Sequence, residues 1–214
     1  PYGFETFDSS LQAGVEIYHT LKELLKQKGL STNVGDEGGF APNLNSSSEV
    51  IKTIIEAIEK SGYKPEEEVS IALDAAASEF HKHGNYLIEE QELSSVEMVD
   101  YLVNLANQYP IISIEDGLSE DDWEGWTLLT DKIGDKIQLV GDDLFVTQEK
   151  MLQEGINQNA ANSILIKINQ VGSITETLQT IKLAKENNYT SMVSHRSGET
   201  EDTFISHLVT GISS

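Results

Sequence analysis

From Gly62 onward, five short apolar runs alternate with stretches of helical periodicity: VSIALDA, PIISIEDG, KIQLVGDD, NSILIKIN and TSMVSHRS. Strands separated by helix-length segments do not close as hairpins; they pair in parallel, and each helix serves as the crossover. The fold class that follows is α/β, with helices packed on a parallel sheet. Each run also ends in a polar, mostly ionisable group: Asp74, Glu115, Asp142, Lys167, and then His195 with Arg196. In parallel α/β folds the carboxyl ends of the strands open on one face, so these groups are predicted to converge there.

The preceding segment has a different texture. Between Glu5 and Lys28, Leu11, Val15, Tyr18, Leu21 and Leu25 recur every three or four residues, which predicts an amphipathic helix closing at Gly29. Ser46 and Glu49 form a capping box for a second helix, with Val50, Ile51, Ile54, Ile55 and Ile58 on its inner face. Between them lies the glycine-rich loop VGDEGGFAPN. Later helices are expected to start near Ser94, Asp121, Thr147, Ser173 and Thr200. HKHGN, His81 to Asn85, reads as a surface hairpin connection, and Trp123 and Trp126 as helix packing. No linker, low-complexity tract or close repeat interrupts the chain. Its 214 residues suit one large domain, and a parallel α/β barrel can use that length as a single unit.

A formal net charge of -22 repels phosphate backbones and anionic lipid, so nucleic acid and membrane are not expected partners. With no cysteine, thiolate metal sites, disulfides and cysteine nucleophiles are excluded. No run approaches the length of a membrane span, and PYGFETFDSS lacks the regions of a signal peptide. The expectation is a soluble, cytoplasmic protein.

Asp74, Glu115 and Asp142 at neighbouring strand ends repel one another unless a cation sits among them. An all-oxygen donor set with room for water and substrate suits Mg²⁺. Alternatively, each carboxylate caps the helix after its strand. Lys167, inside ILIKI, can serve as a general base or as a structural ion-pair partner of one of the acids. Arg196 is the only arginine, set between His195 and Ser197. A planar guanidinium beside a hydroxyl suits a phosphate or carboxylate, although a buried arginine bridging strand ends has the same composition. His195 reads equally as a core histidine. The paired glycines of VGDEGGFAPN allow Asp36 and Glu37 to be held on a loop over the site.

Taken together, VGDEGGFAPN, ALDAAASEF, SIEDG with DDWEGW, QLVGDDLFVT, ILIKINQVGSITETL and SHRSGETEDT resemble the enolases, the phosphopyruvate hydratases of glycolysis. The likeness runs in order along essentially the whole chain. It implies a TIM-type barrel of the enolase kind and conversion of 2-phosphoglycerate to phosphoenolpyruvate and water. By matching positions, Asp74, Glu115 and Asp142 would hold one Mg²⁺, and a second would arrive with substrate. Lys167 would be the base at carbon 2, a Lys-plus-Mg²⁺ arrangement known for this superfamily. Glu37 would help protonate the departing hydroxyl. Arg196 and Ser197 would grip the phosphate, and His195 would line the pocket. A homo-oligomer, dimer or larger, is also implied.

The departures carry expectations of their own. The enolases' amino-terminal capping domain has no counterpart here, nor have the first two barrel strands, with a second catalytic glutamate and a histidine, or the last strand with its lysine. The barrel is therefore expected to be incomplete, about five of eight strands, with weak Mg²⁺ binding and poor turnover in isolation. Two rival readings stand beside it: another Mg²⁺-dependent barrel lyase acting on a carboxylate substrate, and a non-catalytic binding or scaffold role.

Overall fold

The computed structural model describes residues 1–212 and divides into two compact units. The first comprises Pro1–Ile71 with Asn107–Ile111. Its helices are α1 (Phe7–Gln27), capped by the Thr6 hydroxyl, and α2 (Ser47–Lys60), capped by that of Ser46. Ser46 accepts the Glu49 N–H, and Glu49 reaches back to the N–H of Asn45. The helices pack through Ala13, Leu24 and Leu25 of α1 and Ile51, Ala57 and Ile58 of α2. Ala13 is buried in the first half of α1, whereas Leu11 and Val15 are 56% and 49% exposed, so the amino-terminal part of the predicted stripe lies off the packed face. Periodicity marked the helix correctly, but not which side of that half meets a partner.

In chain order the remaining elements are β1 (Ile71–Asp74), a 3₁₀ turn (Ala77–Phe80), β2 (His81–Lys82), β3 (Asn85–Ile88), β4 (Gln91–Leu93) and α3 (Ser95–Gln108). There follow β5 (Ile111–Glu115), α4 (Trp123–Ile133), β6 (Gln138–Gly141) and α5 (Glu149–Gln158). The last are β7 (Ser163–Ile166), α6 (Ile168–Val171), α7 (Ile174–Glu186), β8 (Thr190–Val193) and α8 (Phe204–Ile212). The five apolar runs are the five strands of one parallel sheet in the order β1-β5-β6-β7-β8, an incomplete barrel. Strands β2, β3 and β4 form a separate antiparallel meander. Its first turn is HKHGN, where His83 and Gly84 both take the positive φ that a tight hairpin demands.

Strand alternation sorts the sheet into two faces. Pairings of Ser113 with Gln138, Val140 with Ser163, and Leu165 with Met192 put Ser113, Glu115, Gln138, Val140, Ser163, Leu165, Thr190 and Met192 on one of them. Ile114, Leu139, Ile164 and Ile166 fall on the other and are buried. Each such side chain contributes about 1.5–3 kcal/mol by leaving water. The first face carries a polar band: Ser113 Oγ donates to Gln138 Oε1 (3.2 Å), and Gln138 Nε2 donates to Thr190 Oγ1 (2.8 Å).

Trp126 is fully buried in α4, with its indole N–H on the Ser119 carbonyl, as expected of helix packing. α5 starts two residues after Thr147, which itself adopts positive φ, and α8 starts at Phe204 rather than near Thr200. Buried Phe145 occupies the space left by two glycines: a Cβ on Gly141 would lie 2.6 Å from its ring, and one on Gly155 2.5 Å. Gly141→Ala is expected to cost about 1–3 kcal/mol by overpacking. Adding Phe145→Leu should recover part of that loss in denaturant-midpoint measurements; additive losses would show that the ring is not the obstacle.

Candidate active site at the strand ends

The same alternation carries past the strands to their carboxyl ends. Gln138, Val140 and Asp142 share a face, as do Ser163, Leu165 and Lys167, so Asp142 and Lys167 emerge side by side. They form an ion pair, with side chains only 10% and 18% exposed. The structural reading of Lys167 is therefore realised, and the pairing is equally what a base held beside a metal ligand requires. Asp142 Oδ1 also accepts from Gln170 Nε2 (3.1 Å). On β1, Asp74 Oδ1 accepts the N–H of Ala76 (3.2 Å).

Asp116, passed over in the sequence reading, organises the centre. It is buried, and its two oxygens accept the N–H groups of Asp142 (3.0 Å) and Asp143 (2.9 Å). The adjacent aspartates after β6 thus have separate tasks: both amides are anchored on Asp116, while the Asp142 side chain turns to Lys167. Among the described residues, the carboxylates with oxygens within 4.8 Å of one another are Asp116, Asp142 and Asp143. This trio shares only Asp142 with the trio named by resemblance, and Asp116 is already committed to backbone.

Glu115 feels repulsion from both other acids of the expected trio. Glu115 is pushed up to about 8 by burial and then by repulsion from Asp74, Asp142 and Asp116, with Lys167 opposing. Asp116 is pushed up to about 7 by burial, against the pull of its two amide donors, with Asp143 and Asp142 adding repulsion. Burial first, then Asp142, also raises Asp143. Several carboxylates therefore press on one another with a single ammonium among them.

A cleft of about 620 Å³ opens beside Lys167, lined also by Asn169, Ser194, Arg196, Ser197 and Phe204. Arg196 is exposed rather than buried, and its Nη1 donates to Asn169 Oδ1 (3.0 Å). His195 and Ser197 are exposed as well, so the core-histidine alternative does not describe His195. In the first unit, VGDEGGFAPN closes as a turn in which Gly35 and Gly38 exchange backbone bonds with their neighbours and Glu37 is exposed. Tyr18 stacks on Phe40 at its base, with ring centroids 4.4 Å apart.

Parallel strands end in acids, a lysine and an arginine, and residues 1–214 match the family described as Enolase, C-terminal TIM barrel domain. The chain belongs to this family. Its five-stranded parallel sheet is the incomplete TIM-type barrel, and membership in the enolase superfamily carries a lyase-type function. No helix among the described residues is long and apolar enough to cross a membrane.

Members of this superfamily bind Mg²⁺, and the cluster of Asp116, Asp142 and Asp143 carboxylates could hold such an ion. All candidate ligands are oxygens, which suits a hard cation, and the mutual repulsion recorded at Glu115 is what a divalent ion would relieve.

Two further residues escaped the sequence reading, Thr147 and Gln170, whose contacts reach across elements. With a chelator present, raised carboxyl values mean that the folded state holds protons the unfolded chain has lost. Stability is then greatest below the ordinary carboxylate range and declines as pH rises through about 7 to 8. Thermal unfolding in chelator should show a midpoint falling over that interval, restored by Mg²⁺ at the alkaline end and flattened in Glu115→Gln. A midpoint indifferent to pH would contradict the crowding of acids.

Proposed function

We propose that this chain supplies residues for the magnesium-dependent dehydration of 2-phosphoglycerate to phosphoenolpyruvate, with poor turnover when it stands alone. The observation that supports it is the single cleft lined by Lys167, Arg196 and Ser197: a candidate base and an anion grip facing the same space. A chain with net charge -22 repels an anionic substrate, so binding one requires local cations. Arg196 supplies one, and the neutral Asn169 oxygen accepting from it does not cancel its charge.

In this reading Arg196 and Ser197 hold the phosphate through charge-assisted hydrogen bonds; the pocket-lining role of His195, which is not among the residues lining the cleft, rests on the resemblance alone. Lys167 Nζ, once it has given up the proton it holds in the ion pair with Asp142, takes the proton from carbon 2. The carbon–oxygen bond at carbon 3 then breaks, and the hydroxyl leaves as water with a proton from Glu37, a role resting on the resemblance alone. Asp74, Glu115 and Asp142 would hold Mg²⁺, which would supply positive charge towards the substrate carboxylate, and a second ion would accompany substrate. Asp142 keeps the Lys167 amine at the edge of that centre. Glycolytic flux in the cytoplasm is the setting this reaction implies.

In the protein carrying this chain, Lys167→Ala should lower turnover by about 10²–10⁴-fold with folding and Mg²⁺ binding retained. Unchanged turnover would remove Lys167 as base and favour a binding or scaffold role. Arg196→Gln should weaken 2-phosphoglycerate while leaving an unphosphorylated hydroxy acid unaffected. Equal losses for both would favour a different carboxylate-directed lyase.

A further inference from the structure

Lys167 and Asp142 are held by more than their strands. The Lys167 N–H donates to Thr147 Oγ1 (2.9 Å), and the Thr147 hydroxyl donates to Gln170 Oε1 (2.6 Å), with the Leu165 carbonyl a longer second acceptor (3.3 Å). Gln170 Nε2 donates to Asp142 Oδ1 (3.1 Å), and Asp142 Oδ2 meets Lys167 Nζ. The four residues close a ring. Its directions are fixed, because an ionised carboxylate only accepts, so the amide nitrogen must face Asp142 and its oxygen Thr147.

Thr147 is fully buried at φ 57, following Val146 at φ 43. For β-branched residues this region costs on the order of 1–3 kcal/mol each and persists where the surroundings dictate it. Those surroundings are visible. The Thr147 carbonyl accepts from the Thr180 hydroxyl (3.0 Å), and its own hydroxyl is engaged on both sides. A helix start with ordinary backbone would turn that hydroxyl away from β7.

We propose that Thr147 and Gln170 are positioning residues: together they fix the carboxylate plane of Asp142 and the exit of Lys167 from β7, so that the amine is presented at a set place and angle. The inference rests on Lys167 being the base. Without the Gln170 amide, one Asp142 oxygen loses its donor and the carboxylate rotates. Without the Thr147 hydroxyl, both the Lys167 N–H and the Gln170 oxygen lose their partner.

The test compares Thr147→Val, Thr147→Ser and Gln170→Met in the protein carrying this chain. Expected are losses in kcat of roughly 10- to 100-fold for Thr147→Val and Gln170→Met, with KM little changed, and recovery of most of the loss in Thr147→Ser. A second readout needs neither substrate nor metal: reductive methylation of Lys167 in chelator, followed by peptide mass spectrometry, should run several-fold faster in the two disruptive variants. Gln170 is half-buried on the one-turn α6, so Gln170→Met keeps the test alive if Thr147→Val fails to fold. Wild-type methylation in Gln170→Met would overturn the ring, and faster methylation with unaltered kcat would confine it to structure and overturn the positioning role. Failure of the base reading looks different: Lys167→Ala would itself turn over normally.

Discussion

One ammonium set among several carboxylates is the constraint around which the second unit is arranged. Losing one partner of such a buried pair typically costs about 3–5 kcal/mol, because the survivor is left charged in a poorly solvating place. Lys167 and Asp142 therefore need each other before any ligand arrives, and their neighbours are disposed to serve them. Asp116 spends both oxygens on backbone amides and so keeps Asp142 where it is. Glu115 lies within the field of the same acids and of Asp74, and their repulsion raises it further. A centre of this kind is stable enough to fold yet still short of positive charge, which is the electrostatic condition for recruiting a divalent ion and an anionic ligand together.

Parallel topology makes this concentration of charge possible. Because every strand of the sheet runs the same way, its chemistry-bearing ends meet together, while Ile114, Leu139, Ile164 and Ile166 are buried on the opposite face. The antiparallel meander β2–β4 contributes at a distance from the charges. Tyr86 accepts the Ser119 N–H (3.0 Å) and donates to Asp122 (2.7 Å), which in turn caps α4. The loop after β5 is thus held at both ends, by Asp116 on one side and by the Tyr86 hydroxyl on the other.

Much of this was legible in the sequence because it is local or periodic. The five strands, the capping boxes at Ser46, Ser94 and Ser173, the HKHGN turn and the packing of Trp126 all follow from patterns a few residues long. Ionisable groups at strand ends were legible for the same reason. Asp116 was not, since nothing in SIEDG reveals that its side chain will accept amides 26 and 27 residues later. Thr147 and Gln170 looked like an ordinary helix start and an ordinary polar residue; their roles exist only once β6, β7 and the turn between them are assembled. On α1 the pattern misled in the first half, because an apolar stripe records where a partner can lie and not which side of the helix meets one.

The hydrogen-bonded serine, glutamine and threonine side chains beneath the charged rim have a mechanical consequence. A greasy inner surface tolerates sliding, since one aliphatic contact replaces another, whereas Gln138 reaches across β7 to Thr190 and can do so at one offset only. Slipping any of these strands by a single step would strand those donors and swing isoleucines to the wrong side together. The band acts as a vernier: it indexes the strands against one another, and the spacing of the charged groups above is inherited from that indexing.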